Sequence, residues 1–244
     1  MIEPQEPQPR FPSSDASWND LRCTVVRHRA AVGSVGRRGA LSLFAGAASA
    51  GFLLLSGRSV RSAMQPDAAA NLVLATGSEI VATINAVDLP AAQRRGTLGV
   101  ILRRSVDIPG VGQFVLGRQW GLSAAAEQQE FLRLFEELII HTLSMRFSSY
   151  AGLRFSLGRS QQLSEDEVLI NTAVEYDGSM RFTLDWRVSE VAGVPRVVDV
   201  IAEGTSMRLA LRSEYAAVLS RNGNRMSALL DAMRRQVATL AARG

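Results

Sequence analysis

Residues 168–206 read VLINTAVEYDGSMRFTLDWRVSEVAGVPRVVDVIAEGTS, and this stretch decides the fold class. Val168, Ile170, Thr172, Val174 and Tyr176 alternate with Leu169, Asn171, Ala173 and Glu175. Successive strand side chains point to opposite faces, so this period of two, rich in β-branched and aromatic residues, predicts a strand. Asp177-Gly178 is a hairpin signal, because glycine supplies the positive φ that tight turns need. Phe182, Leu184, Trp186 and Val188 then alternate with Arg181, Thr183, Asp185 and Arg187, and Ala192-Gly193 marks the next turn. A strand over 195–203 puts Val198, Val200 and Ala202 on one face, with Val197, Asp199, Ile201 and Glu203 on the other. With a weaker strand near 153–160, the expectation is an antiparallel four-stranded meander, one face apolar and the other mixed.

Helical periods flank the meander. Residues 71–87 predict a helix carrying Leu72, Ile80, Ile84 and Val87, ended by Asp88-Leu89-Pro90. A second helix, 90–105, buries Leu98, Ile101 and Leu102 and turns Arg94, Arg95, Arg103 and Arg104 to water. A short one carries Phe114, Val115, Leu116 and Trp120. Ser123 suits the N-cap of a long central helix, 124–149. Its acids lie early and mid-helix and Arg146 late, as the helix dipole prefers. Its apolar set runs from Phe131 to Phe147 over more than one stripe, so burial on several sides is expected. Ser206 caps a helix to Arg221, Asn222-Gly223 stops it, and 224–241 forms the last. The fold class is α+β: a meander wrapped by N-terminal, central and C-terminal helices, one domain over residues 67–244.

Residues 1–66 have a different character and read as a disordered leader and signal peptide. Arg37 and Arg38 precede an apolar run, 41–55. That run is short for a membrane span, which needs about 20 residues, and suits a signal-peptide core. The paired arginines fit twin-arginine or ordinary export, although Ala40 departs from the twin-arginine pattern. Retention as an uncleaved inner-membrane anchor is the alternative.

Composition removes several functions. The formal charge of +4 is carried by arginine alone, since the chain has no lysine. Residues 71–244 hold 19 Arg against 18 acids, and no aromatic residues interleave with basic ones, so a nucleic-acid platform is not expected. The single cysteine, Cys23, lies in the leader, so the domain has no disulfide, thiolate metal site or thiol nucleophile. His28 is also in the leader, and His141 sits alone among apolar helix residues. No Gly-x-Ser-x-Gly elbow, P-loop or dinucleotide-binding glycine pattern is present. No cofactor, metal site or catalytic residue is expected. Asp185 and Asp199 lie beside apolar neighbours, and a carboxylate in a dry pocket can act as a base. The favoured expectation puts them on the wetter face, paired with Arg181, Arg187 or Arg196.

One set of segments adds a family. Phe114 to Trp120 precedes the helix with Phe131 to Phe135, followed by Tyr150-Ala151-Gly152, Asp185-Trp186-Arg187 and Val198 to Met207. Arg212-Ser213-Glu214-Tyr215 and Asn222-Gly223 complete it. In order and spacing this resembles the MlaC, or toluene-tolerance auxiliary, family of periplasmic phospholipid-binding proteins, closest to its hopanoid-associated HpnM branch. Thr205 stands where that pattern has Val, and Gln119 where it has an aromatic residue.

The resemblance implies a sheet like that of the nuclear-transport-factor-2 group and a non-catalytic carrier of phospholipid or hopanoid. Its partners would be an inner-membrane lipid ABC transporter with its ring-forming subunit, and an outer-membrane lipoprotein complex. The expected lipid-binding wall, between the central helix and the apolar sheet face, comprises Phe114, Phe131, Phe135, Leu138, Ile139, Leu184, Trp186, Val188, Val198 and Val200. The alternative is a hopanoid-modifying or isomerase-like enzyme using Asp185 or Asp199 as base.

Overall fold

The computed structural model describes residues 64–147, 152–176 and 180–242. The expected leader and export signal as far as residue 63, Tyr150-Ala151 and the expected turn at Asp177-Gly178 lie outside the described residues. Five helices come first: α1 (Pro66–Asn85), α2 (Ala91–Ser105), α3 (Ile108–Leu116), α4 (Arg118–Leu122) and α5 (Ala125–Phe147). Strands β1 (Arg154–Gln162), β2 (Glu167–Tyr176), β3 (Met180–Val191), β4 (Val194–Ala202) and β5 (Thr205–Ser206) follow, then α6 (Met207–Arg221) and α7 (Met226–Ala241).

Local chemistry sets the helix starts. Pro66 occupies the first turn of α1, where its missing N–H costs nothing. This start is upstream of the expected residue 71, whose placement rested on apolar residues alone. Asp107 caps α3 by accepting from the Gly110 amide at 3.1 Å. Gly117, at φ +54, separates α3 from α4, so the single short helix expected around Phe114 and Trp120 is two.

The sheet is antiparallel in the order β1-β2-β3-β4-β5. It has five strands, not the expected four. Glu203 and Gly204 both adopt positive φ, the backbone of a two-residue hairpin. They fold Thr205 and Ser206 back onto Ala202 and Ile201, where the sequence reading continued the strand to Glu203. A β-bulge corrects the register of β4: Arg187 faces Asp199 while Val188 faces Val197, leaving Val198 as the extra residue. A bulge shifts the alternation by one, so Val197, not Val198, joins the face of Trp186 and Val188.

Three buried clusters result, two of them large. In the first, α1 lies over the sheet: Ala69 and Val73 meet Val168, Ile170, Trp186, Val188 and Val197. In the second, helices alone interlock: Phe131, Leu134, Phe135 and Leu138 of α5 pack with Val115 and Leu116 of α3, Tyr215 and Leu219 of α6, and Leu229 and Met233 of α7. The cover expected of the central helix is therefore supplied by α1, and α5 packs chiefly on α7, α2 and α3. Val106, between α2 and α3, packs against both clusters and bridges to Val197 in parallel.

Candidate functional site

Nine of the ten residues assigned to a lipid wall divide between these clusters. On α5, Phe131, Phe135 and Leu138 fall at i, i+4 and i+7, one helix stripe, and all three are buried. Phe131 stacks on Phe135 at 5.6 Å between ring centroids, and Tyr215 sets its ring edge against both. Burial, reinforced by the nearby Glu214 carboxylate, holds the Tyr215 hydroxyl protonated far above the usual range. Ile139 and Phe114 border this cluster half-buried. The guanidinium groups of Arg208 and Arg212 lie 4.5 and 5.1 Å from the Phe114 ring centre, within cation–π range.

Leu184, Trp186, Val188 and Val200 belong to the sheet cluster. Its polar atoms are satisfied internally. The Trp186 indole donates to Thr172 Oγ1 at 2.9 Å, and that hydroxyl donates to the Leu184 carbonyl at 3.2 Å. Val198, displaced by the bulge, is buried but joins neither cluster.

Apolar surface is incompletely covered in two places. Ile139, Ile140, Leu143 and Met145, in the second half of α5, are all half-buried, in contrast to Phe131, Leu134 and Phe135. On the sheet, Tyr176, Phe182 and Leu184 are half-buried around a small cluster of Ile84, Leu153 and Val174, with Ile80 and Val81 of α1 beside them. Asn85 fixes this end: its Oδ1 accepts from the amides of Gly152 and Leu153, and its Nδ2 donates to the Leu153 carbonyl at 2.9 Å. Gly152 lies five positions beyond the end of α5, a reach of at most about 18 Å, so the end of α5 stands within that distance of the Asn85 contact. Ile140, Leu143, Met145, Tyr176 and Phe182 were absent from the expected wall. Their signal was present, since each is apolar in phase with its element, but periodicity does not say where cover stops.

The carboxylates are engaged structurally, and not by the arginines expected. Asp185 accepts from Asn171 Nδ2 at 2.8 Å. Asp199 is buried, not on a wet face. It accepts from Ser206 Oγ at 2.5 Å and the Arg208 amide at 3.1 Å, and its Oδ2 lies 3.5 Å from Arg208 Nε. It thus holds the start of α6 against β4 and supplies negative charge where the helix dipole favours it. Arg187 pairs instead with Glu167 at 2.9 Å, and Arg196 donates to the carbonyls of Arg103 and Arg104. His141 is half-buried on α5. Among the described residues, no group of three or more His, Cys, Asp or Glu is placed to hold a metal ion. No described helix is long and apolar enough to cross a membrane.

Comparison with known proteins agrees with this architecture. A phospholipid-binding protein from Ralstonia solanacearum, solved in complex with a phospholipid, superposes with a TM-score of 0.65. It is 19% identical, and the match covers 71% of this chain and 98% of that one; at this identity the likeness speaks for the fold. Residues 75–235 match the family model described as MlaC protein, and the chain belongs to the MlaC family.

Proposed function

We propose that this protein is a periplasmic lipid carrier that holds the acyl chains of a phospholipid, or of a hopanoid as in the HpnM branch, between its sheet and its helices. The observation that carries this is the pair of half-covered apolar surfaces on α5 and at the sheet end fixed by Asn85. Membership of the MlaC family supports it, as does the likeness to a fold solved with a phospholipid bound. The nuclear-transport-factor-2-like character of the sheet belongs to the same proposal.

Of the ten expected wall residues, Phe114, Ile139, Leu184 and Val200 are half-buried and are assigned to direct lipid contact. Phe131, Phe135, Leu138, Trp186 and Val188 are buried and form the support behind, and Val198, displaced by the bulge, has no place in it. Two acyl chains of about 30 methylenes would cost about 24 kcal/mol to expose to water, at about 0.8 kcal/mol each. Unassisted transfer across an aqueous compartment is negligible against that cost. No bond is made or broken in such transfer, and the structural engagement of Asp185 and Asp199 fits a protein without a catalytic base. The proposal includes export by the leader of residues 1–66, loading or unloading at an inner-membrane ABC transporter with its ring-forming subunit, and exchange with an outer-membrane lipoprotein complex.

Native mass spectrometry of gently purified protein, with extraction of bound lipid, tests the carrier role. The expected result is co-purified lipid and uptake from vesicles. Lipid-free protein from every preparation, with no uptake, would sink it.

A further inference from the structure

Among the described residues, no large apolar side chain is more exposed than Leu122, at 70%. It ends α4, a five-residue helix with no buried residue. The surface beside it is open, since a Cβ on Gly121 would meet nothing within 4 Å. Behind Leu122, Trp120 packs half-buried against the helical cluster, and its carbonyl accepts from Gln128 Nε2 at 2.8 Å. This bond ties the end of α4 to α5.

Arginines gather at the start of α4. Arg118 opens α4, is exposed, and has no ion-pair partner among the described residues. Arg212 reaches across from α6, donating to the Phe114 carbonyl at 2.7 Å, with its guanidinium beside Gly117. Arg208 lies over the same Phe114 ring. The nearby acids leave the charges of Arg118 and Arg212 unanswered. Asp199 is buried and held by Ser206 and Arg208. Glu127 accepts from the Ala124 amide at 3.0 Å. Glu214 is half-buried, and a helix residue two positions from Arg212 does not share its face.

We propose that this α3–α4–α6 corner docks on the surface of an anionic phospholipid bilayer. Leu122 and the edge of Trp120 enter the headgroup layer, and Arg118 and Arg212 pair with lipid phosphates. Tryptophan is favoured at that depth, guanidinium forks match phosphate, and a fluid bilayer accepts an apolar tip and its flanking cations together. A folded acidic partner would need a shaped recess for Leu122 as well as carboxylates. This surface stands beside the carrier role and does not depend on it.

The test uses the full chain with Trp18→Phe, which leaves Trp120 and the buried Trp186 as fluorophores. Binding is read by quenching from vesicles of brominated phosphatidylcholine and phosphatidylglycerol. Any membrane affinity of the leader is then common to all variants and silent. The expected result is quenching that disappears in Trp120→Phe, weakens steeply with salt, and is lost on phosphatidylcholine alone. Arg118→Gln should weaken binding about five-fold and Leu122→Asp at least about ten-fold, with unchanged thermal midpoints. Quenching that reverses when vesicles are removed reports the corner; quenching that stays with the protein reports lipid inside it. Absent reversible quenching, or equal binding by both variants, overturns the docking surface, whatever the protein carries. Reversible quenching without retained lipid supports the surface and counts against the carrier.

Discussion

Two glycines in helix interiors offer one substitution with opposite expected signs. Gly77 sits on the buried face of α1, and a Cβ there would stand no more than 2.5 Å from three carbons of the Phe155 ring. That ring cannot simply retreat, because it meets Trp186 edge-on at 6.3 Å and lies among the residues packed under α1. Gly96, in α2, is open, with nothing within 4 Å of its Cβ position. Alanine gains about 1 kcal/mol over glycine in a helix interior, and overpacking a core costs about 1–3 kcal/mol. Gly96→Ala should therefore stabilise by about 0.5–1 kcal/mol. Gly77→Ala should destabilise, by up to about 2 kcal/mol after the helix gain is subtracted, a fall of up to about 8 °C in thermal midpoint for a domain of this size. Urea denaturation followed by circular dichroism measures both, and Phe155→Leu should recover part of the Gly77→Ala loss in a double-mutant cycle. If the two glycine variants shift stability in the same direction, the docking of α1 on the sheet through Phe155 is wrong.

Three further perturbations separate the roles assigned above. Asp199→Asn removes the buried charge that holds Ser206 and Arg208, leaving Arg208 partly buried without its partner. Chemical denaturation should show a loss of about 3 kcal/mol, and wild-type stability would refute the cap. Burial raises the Glu214 carboxyl above the usual carboxylate range. A raised acid favours the folded state while protonated, so its contribution is full below the unfolded value and is lost as pH rises through the folded one. Glu214→Gln should then be the more stable protein at about pH 7, with the difference vanishing by about pH 4 in paired thermal melts. Leu184→Asn should reduce lipid uptake from vesicles several-fold while shifting the thermal midpoint less than Phe135→Ala, a truncation that costs about 3–5 kcal/mol in a filled core. Equal uptake by Leu184→Asn and wild type would remove Leu184 from the contact surface.

The strands and most helix boundaries were legible because period and punctuation agree. The alternation from Val168 to Tyr176 and from Phe182 to Val188 marks faces directly, and Ser206 and Asn222 bound α6 as their side-chain chemistry predicts. The bulge was hidden because Val197 and Val198 are identical residues, so composition could not tell which faces inward. The hairpin to β5 was hidden because Glu203 takes a positive φ that its side chain does not advertise. The expected wall merged two clusters for a related reason: apolar periodicity identifies which face of α5 or β3 seeks cover, but not which partner supplies it. That α1 covers the sheet follows from tertiary packing of Gly77, Val73 and Ala69, three residues with no distinguishing mark in sequence.

The docking of α1 also bears on the order in which a ribosome delivers the parts. Phe155 emerges about 80 residues after Gly77, and the strand bearing Val197 later still. At about 5–20 residues per second, the nascent helix waits several seconds, its apolar stripe bare, before its seat has been translated. The N-terminal end of the domain is thus among the last pieces to settle, and any chaperone or export factor that meets the chain first finds that stripe still available.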